Sequence, residues 1–439
     1  MNVEKKIQVP KVTVKRVSKS DKQPEESPLF SHIDESKPLD KSGFPHVLKR
    51  ENGSHKLKDT IQNHQHMYDQ YQIQYKTDIV SKEMIVRIPG FTEGTLNENN
   101  TKVAYLQSLA VLNGLSPHNT YDYLCALADV NPYNPIANWI TSTPWDGVDR
   151  LQDFYITFTT TEGYPIELKE TLLLKWLTSI DAANTMPEGF HSRGVLTLQG
   201  GQGMGKTTAI RNVFPSGILR DKYILTGHHL DPSSKDSVMT AIKHAIVEIG
   251  ELDSSFKKDV ARLKGFITLD RDTVRRPYGR TNSEFPRRTV FAASVNETNF
   301  LVDPTGNSRF WVLPCTHIDY DHDIDMQQVF AQVHEGRKNG NNWWLTPDEE
   351  KLLADWNDNH NSVSAIEELL LEKWDFDLPE DKRKMMSATE QLQCIGIKQP
   401  TNPQTRECGQ FSRKHFGEPR KTGGAMKWLV PIHIDIHRV

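Results

Sequence analysis

Short apolar runs alternate with helical or polar stretches through the middle of the chain. Three runs are suited to buried strands: GVLTLQ at 194–199, AIKHAIVEI at 241–249 and TVFAASVN at 289–296. The segment IELKETLLLKWLTSIDAAN, at 166–184, has apolar residues at helical spacing and predicts an amphipathic helix. Because alternating strands and helices are typical of an α/β fold with a parallel sheet, residues 165–345 are predicted to form such a core.

The flanking regions predict separate parts of the molecule. Residues 1–43 are rich in Lys, Ser, Glu, Asp and Pro, a composition typical of a disordered arm. Residues 44–164 contain a strand-like MIVRI, a helical TYDYLCALADV and a turn-rich NPYNPIANWITSTPWDGVDRL, which predict a small module and a linker. In residues 346–386, Thr346 and Glu349 have capping-box spacing before an apolar run, so we expect a helical region there.

The last part of the chain, residues 387–439, predicts two helices followed by a hairpin. The second helix is expected to begin at a cap on Asn402 and to end at Gly417. The adjacent Gly423 and Gly424 predict the hairpin turn. This order of elements predicts a winged helix-like domain.

The same region is basic within a chain whose net charge is −4, with eight Lys or Arg against four Asp or Glu. Basic residues on the second helix and on the hairpin are expected to contact the phosphates of duplex DNA. They are Arg406, Arg413, Lys414, Arg420, Lys421 and Lys427. The alternative is a helical cap whose charges are solvated.

Composition excludes several other classes of protein. No apolar run approaches the roughly 18 to 20 residues that a membrane span needs, so we expect no membrane association. The N-terminus lacks the apolar segment of a secretory signal, which predicts a cytoplasmic protein. The four cysteines lie far apart without metal-binding spacing, and we expect reduced thiols.

The strongest chemical signal follows the first apolar strand. Residues 200–207 read GGQGMGKT and fit the pattern G-x-x-x-x-G-K-[ST], between a predicted strand and a predicted helix. In such a loop backbone N–H groups face a phosphate, Lys206 reaches the terminal phosphates and Thr207 holds Mg²⁺. The predicted nucleotide-binding residues are Gly200, Gly201, Gln202, Gly203, Met204, Gly205, Lys206, Thr207 and Thr208. The alternative is a glycine turn that binds nothing.

Polar side chains follow the next two predicted strands. Glu248 ends one of them and is expected to complete the Mg²⁺ site, whereas Glu251 is expected to polarise the attacking water, although these roles could be exchanged. Asn296 ends the other strand and is expected to sense the γ-phosphate. Arg309 follows, and its permanent charge suits a phosphate on which negative charge develops. The alternatives are solvent-facing acids, a turn cap at Asn296 and a surface ion pair at Arg309.

A stretch rich in Lys and Arg lies between the acidic strand and Asn296, at residues 256–288. Basic residues interleaved with aromatic ones are typical of single-stranded nucleic acid binding, and Phe266 is the additional stacking candidate here. The predicted DNA-binding residues are Lys264, Arg275, Arg276, Tyr278 and Arg280. An ordinary solvated loop remains the alternative.

The motifs VEIGEL, LKGFIT, RPYGR and DPTGNSRFW, with the upstream WDGVDRL, resemble the virulence-associated protein E family across residues 44–345. That family is similar to superfamily 3 helicases, which are AAA+-type motors of viruses and mobile elements. The resemblance implies a homo-oligomeric ring, usually a hexamer, with ATP between subunits and a basic loop on single-stranded DNA. It also implies that Glu248 is the Walker B acid, that Asn296 is the sensor and that Arg309 is an arginine finger reaching a neighbour's ATP.

These observations together predict an α/β P-loop NTPase with an AAA+-like core, a small N-terminal module and a C-terminal winged helix-like domain. The predicted function is an ATP- and Mg²⁺-dependent DNA helicase of a phage or mobile element, and the resemblance implies 3′ to 5′ travel. Two alternatives remain open: another P-loop ATPase, such as a packaging motor or a kinase, and a DNA-binding initiator or regulator that ATP only assembles.

Overall fold

The computed structural model describes residues 38–91, 97–250, 262–274, 283–296, 309–357 and 365–432. These residues form two compact units. One comprises the described residues up to Asp78 together with Glu83–Tyr133, and the other comprises Ile79–Lys82 and the described residues from Asn134 onward. The predicted domain boundaries remain predictions.

In its described residues, the first unit combines small sheets with three α-helices. Its strands are β1 Val47–Lys49, β2 His55–Leu57, β3 Gln74–Asp78, β4 Glu83–Arg87 and β5 Pro132–Tyr133. Its helices are α1 Ile61–Gln70, α2 Glu98–Leu112 and α3 Thr120–Asp129. Strands β1 and β2 form a hairpin, and β4-β3-β5 form a sheet that mixes antiparallel and parallel pairing. The MIVRI and TYDYLCALADV segments are therefore a strand and a helix, as predicted.

The second unit contains a six-stranded sheet with helices around it, and a separate two-stranded sheet. The six strands are β6 Phe158–Thr160, β7 Val195–Gln199, β8 Ile224–His228, β9 Ile246–Ile249, β12 Val290–Val295 and β13 Phe310–Ile318. The two-stranded sheet consists of β10 Arg271–Val274 and β11 Ser283–Pro286. Its helices are α4 Pro135–Ile140, α5 Leu151–Ile156, α6 Ile166–Thr185, α7 Lys206–Asn212, α8 Ile218–Tyr223, α9 Lys235–Ala241, α10 Met326–Lys338 and α11 Pro347–Asn357. Residues 262–267 are also helical.

The order of strands in this sheet is β6-β13-β7-β12-β9-β8. All neighbouring pairs are parallel except β6 with β13, which is antiparallel at one edge. The predicted α/β class with a mostly parallel sheet is confirmed. Strand β7 lies between β13 and β12, so the carboxyl end of β7 lies in the middle of the sheet edge where α/β proteins bind ligands.

The centre of the sheet is held by strands that are buried on both faces. All five residues of β7 are buried, as are the four residues of β9. The predicted amphipathic helix is α6, whose Trp176 packs in the core and donates its indole N–H to the carbonyl of Phe291 at 3.0 Å. Helix α11 begins with the predicted capping box, since the Thr346 N–H donates to Glu349 Oε2 at 2.7 Å.

Two details of the predicted elements are wrong. The apolar run 241–249 is not one strand, because helix α9 ends at Ala241 and β9 begins only at Ile246. Strands β8 and β13 were not predicted at all.

The C-terminal part of this unit has its own apolar cluster, which includes Leu370, Leu392, Phe411 and Trp428. Its elements are α12 Ala365–Lys373, β14 Lys384–Met386, α13 Ala388–Cys394, α14 Asn402–Phe416, β15 Arg420–Thr422 and β16 Ala425–Val430. The strands form an antiparallel sheet in the order β14-β16-β15. The two predicted helices and the hairpin are present, and α12 and β14 precede them.

One predicted cap is wrong, because α14 is capped by Thr401 rather than by Asn402. The Thr401 N–H donates to the side-chain oxygen of Gln404 at 2.8 Å, which makes a capping box. The helix ends at Gly417, as predicted. Gly423 and Gly424 have φ values of 60° and 83°, the left-handed conformation that a tight hairpin turn requires.

No helix in the described part of the chain is both long enough and apolar enough to cross a membrane. All four cysteines lie in described residues and are free thiols.

Candidate nucleotide-binding site

The glycine-rich loop joins the carboxyl end of β7 to the first turn of α7. Gly205 is the N-cap of α7 with a φ of 88°, and a Cβ there would lie 2.1 Å from a ring carbon of Tyr320. A Cβ on Gly200 would lie 2.6 Å from the carbonyl oxygen of Cys315. Side chains are therefore excluded at both positions, and the loop is a backbone cradle at a helix N-terminus, which fits a phosphate group.

Lys206 lies inside this cradle with only 7% of its surface exposed. Its ammonium group donates to the carbonyl oxygens of Gly200 at 2.7 Å and Gly201 at 2.8 Å, and to Asn296 Oδ1 at 2.9 Å. Burial lowers the pKa of Lys206, while the nearby Cys315 and Glu248 favour its charged form. Because phosphate oxygens are stronger acceptors than carbonyl oxygens, the ammonium group is placed to exchange these partners for a phosphate.

Thr207 and Glu248 meet beside the loop. The Thr207 hydroxyl donates to Glu248 Oε1 at 2.6 Å, and the Gly227 N–H donates to Glu248 Oε2 at 3.2 Å. Glu248 is 1% exposed, so both carboxylate oxygens are held in place in the interior. A hydroxyl and a carboxylate side by side are the oxygen ligands that Mg²⁺ takes next to a bound phosphate.

The structure therefore brings together four of the predicted site residues: Lys206, Thr207, Glu248 and Asn296. Lys206 and Thr207 begin α7 after the loop that follows β7, Asn296 follows β12, and Glu248 lies near the end of β9. The three strands are neighbours in the sheet. Glu251 lies outside the described residues. The roles assigned to all these residues remain predictions.

Sequence reasoning missed two contacts of this site. Gly227 belongs to β8, a strand that was not predicted, and only its backbone takes part. Tyr320 lies just beyond β13, and nothing in its sequence surroundings indicates that its ring covers Gly205. No sequence signal identifies either contact.

Arg309 lies at the amino ends of the parallel strands, whereas the glycine-rich loop lies at their carboxyl ends. Its carbonyl accepts from the Val195 N–H at 2.8 Å, so it stands beside the first residue of β7, whereas the loop follows the last. Four residues of extended strand separate these positions by roughly 13 Å. The loop and Arg309 of one chain therefore do not form a common site.

The basic stretch before Asn296 contains an antiparallel hairpin, because β10 pairs with β11. Arg275, Arg276, Tyr278 and Arg280 fall on residues 275–282 between these strands, outside the described residues. Lys264 is described and is only 7% exposed.

The prediction that Phe266 stacks on a base is wrong. Its side chain is buried, and its ring centroid lies 6.0 Å from that of Phe291, in the core.

The predicted basic residues of the C-terminal part differ in their surroundings. Five of them are exposed: Arg406, Arg413, Lys414, Arg420 and Lys421. Arg413 lies 3.6 Å from Glu418, and Lys427 lies 3.0 Å from Glu390.

A family profile for the virulence-associated protein E-like domain matches residues 140–362, slightly more than half of the chain. The chain belongs to this family. The virulence-associated protein E-like domain therefore includes the glycine-rich loop, Glu248, Asn296 and Arg309. The family and the loop together indicate a P-loop domain that binds a nucleoside triphosphate.

Two solved structures are also similar to this virulence-associated protein E-like chain. The A form apo structure of the NrS-1 C-terminal region is 14% identical, with a TM-score of 0.43, and the match covers 84% of this chain and 99% of that chain. The apo structure of the NrS-1 C-terminal region (305-718) is 14% identical, with a TM-score of 0.37, over 86% and 100% of the two chains. Among the curated proteins, none matches.

Proposed function

We propose that this protein is an ATP-dependent DNA helicase that works as a ring, a hexamer, in the replication of a phage or mobile element. The observation that carries the proposal is the set of contacts at the carboxyl edge of the sheet. Lys206 donates a hydrogen bond to Asn296, which follows β12. Thr207 donates a hydrogen bond to Glu248 in β9. A phosphate-binding loop in contact with a metal-binding acid and a polar sensor is the arrangement that NTP hydrolysis requires.

Each residue of the site has a chemical role in this proposal. The loop amides and Lys206 would bind and orient the phosphates of ATP, because both present donors to the same cradle. Thr207 and Glu248 would hold Mg²⁺. When bound, Mg²⁺ would neutralise negative charge on the phosphates. Asn296 would orient the attacking water, and Glu248 or Glu251 would accept its proton.

The position of Arg309 supports a ring. Because Arg309 is remote from the glycine-rich loop of its own chain, we infer that it would act on the nucleotide of a neighbouring subunit. A guanidinium group there would stabilise the negative charge that develops during phosphoryl transfer, and the charge is worth most where water is excluded.

Two regions are proposed to contact DNA. The hairpin of β10 and β11 would contact single-stranded DNA through the basic residues of 275–282. Lys264 is buried and would need the surrounding chain to open before it could take part. The order helix, strand, helix, helix and hairpin supports a winged helix in which α14 approaches duplex DNA.

The test is ATP hydrolysis by the purified chain with and without single-stranded DNA. We expect stimulation by the single strand, and a loss of about 100-fold in the Lys206→Ala variant because the phosphate-binding ammonium is gone. A forked-duplex unwinding assay follows. Hydrolysis that is indifferent to DNA would contradict the helicase proposal and favour a packaging motor, a kinase or another P-loop ATPase.

The Glu248→Gln variant separates the helicase from an initiator that ATP only assembles. It removes a charge while keeping the side chain's shape, so nucleotide binding and assembly are expected to continue while hydrolysis and unwinding stop. Wild-type chain on the same DNA gives the reference. If the Glu248→Gln variant still supports initiation of replication, the helicase proposal is contradicted, because hydrolysis would not be needed.

A further inference from the structure

A buried ion pair closes the base of the β10–β11 hairpin, where the chain leaves β11 for the central sheet. Arg287, directly after β11, donates from Nε to Asp272 Oδ2 at 2.9 Å and from one terminal nitrogen to Asp272 Oδ1 at 2.7 Å. The Arg287 N–H also donates to the Asp270 carbonyl at 2.8 Å. Asp272 is 3% exposed and Arg287 is 1% exposed. The two-point contact therefore fixes both the distance and the angle between β10 and the segment that leads from β11 to β12.

The guanidinium group of Arg287 contacts three elements at once. Besides Asp272 on β10, it lies 4.6 Å from the ring centroid of Phe266 and donates to the Phe266 carbonyl at 3.3 Å. It also lies 5.8 Å from the ring centroid of Phe291 on β12. Arg287 thus joins the hairpin, the helical residues 262–267 and the central sheet.

Strand β12 leads from this pair to the candidate nucleotide site. Phe291 is its second residue, and Asn296 directly follows its last, roughly 16 Å further along. Asn296 bonds Lys206, and β12 pairs with both β7 and β9. A shift of β12 when Lys206 exchanges Asn296 for a phosphate would reach Phe291 and hence Arg287.

A buried ion pair is a poor way to stabilise a core, because the cost of desolvating two charges offsets most of their attraction. Apolar side chains would fill the same space without that cost. The feature that they cannot supply is the directional link between Asp272 and Arg287.

We propose that Asp272 and Arg287 are positioning residues that couple the β10–β11 hairpin to β12, and through it to the nucleotide site. The DNA part of this inference rests on the proposed function. The other part, that nucleotide binding changes the stability of the hairpin, can be tested without DNA.

The variant for the test replaces both partners by apolar residues, Asp272→Leu with Arg287→Met, so that no buried charge is left without its partner. The matched control is Glu188→Gln. Glu188 makes the same kind of contact with Arg271 on the same hairpin, at 3.3 Å, but both side chains are exposed. The control therefore breaks an Arg–carboxylate pair without touching the buried one.

The first measurement is backbone hydrogen exchange at residues 271–274 and 283–285, with and without a non-hydrolysable ATP analogue and Mg²⁺. In the wild type and in Glu188→Gln, we expect the analogue to slow exchange about fivefold. In the double variant the hairpin should not respond, while the glycine-rich loop should still respond. An unchanged hairpin response in the double variant, or no response in the wild type, would overturn the coupling.

The second measurement is hydrolysis with single-stranded DNA. In the double variant basal hydrolysis is expected to stay within about twofold of wild type, while stimulation by DNA is lost. If DNA fails to stimulate the wild type, the proposed function fails, and the exchange result still decides the coupling. If the double variant does not fold, Arg287→Lys keeps the charge but loses the two-point contact, and the same loss of hairpin response is expected.

Discussion

Glycine at position 250 allows β8 and β9 to approach each other closely. A Cβ on Gly250 would lie 2.8 Å from the backbone of Gly227, which is too close for any real side chain. The same Gly227 donates its N–H to Glu248. The close approach of the two strands thus positions the carboxylate that is proposed to hold Mg²⁺.

We therefore expect Gly250→Ala to displace β8 and to remove the Gly227 bond from Glu248. Loss of one hydrogen bond to a buried carboxylate is worth about 1.4 kcal/mol, so hydrolysis should fall about tenfold. Nucleotide affinity should change little, because Lys206 and the loop are not altered. Steady-state hydrolysis and binding of a fluorescent nucleotide measure the two effects separately.

Gly265→Ala is the matched control. Beyond the backbone of its own helix and its chain neighbours, no described heavy atom lies within 4 Å of a Cβ at Gly265, and residues 262–267 are helical. The substitution should leave hydrolysis unchanged and should raise stability by up to about 1 kcal/mol. Wild-type hydrolysis in Gly250→Ala would show that the Gly227 contact does not position Glu248.

At the scale of elements, exposed basic residues of the C-terminal part differ from paired ones. Lys414 is exposed near the end of α14, whereas Lys427 bonds Glu390 at 3.0 Å. Each phosphate contact that is lost should reduce the slope of log K against log salt concentration by about 0.9. We expect this reduction in Lys414→Gln, and a smaller one in Lys427→Gln because Glu390 already neutralises that charge.

Titration of labelled duplex DNA at several salt concentrations measures these slopes. The effect should be the same for unrelated DNA sequences, since phosphate contacts carry no sequence information. A slope in Lys414→Gln equal to that of wild type would remove this residue from the proposed duplex contact.

Apolar runs were sufficient to locate the inner strands β7 and β12 and, within a longer run, β9, because strands buried on both faces are mostly apolar. The same rule misses β8, an edge strand in which only Ile224 is buried. It also misses β13, whose interior Pro314 normally argues against a strand. The general position of the site follows from the inner strands, since their carboxyl ends meet at one edge.

The contacts between elements were less predictable. Asp272 and Arg287 look like surface residues in the sequence, since Asp and Arg are rarely buried. Their pairing depends on the register of a hairpin whose strands contain few apolar residues. The contact between Lys206 and Asn296 was predictable, because a P-loop and the strand that carries the sensor are expected to be neighbours.

At the scale of the whole molecule, the nucleotide site of one chain is incomplete if Arg309 takes part in hydrolysis. Arg309 stands beside Val195, at the edge of the sheet remote from Lys206. Closed rings use one surface of each subunit against a different surface of the next, so every site in a ring can receive Arg309 from its neighbour.

The last prediction uses mixtures of two inactive variants. Lys206→Ala and Arg309→Ala should each abolish most hydrolysis when assembled alone. In a ring assembled at random from equal amounts of both, a site works only when one subunit supplies Lys206 and its neighbour supplies Arg309. Since each condition holds for half of the subunits, hydrolysis should recover to about one quarter of wild type. The control mixes Lys206→Ala with Glu248→Gln, which act on the same side of the interface, so none of its sites regains both groups. Recovery in the control as well, or no recovery in the test mixture, would show that Arg309 does not act on the neighbouring subunit's nucleotide.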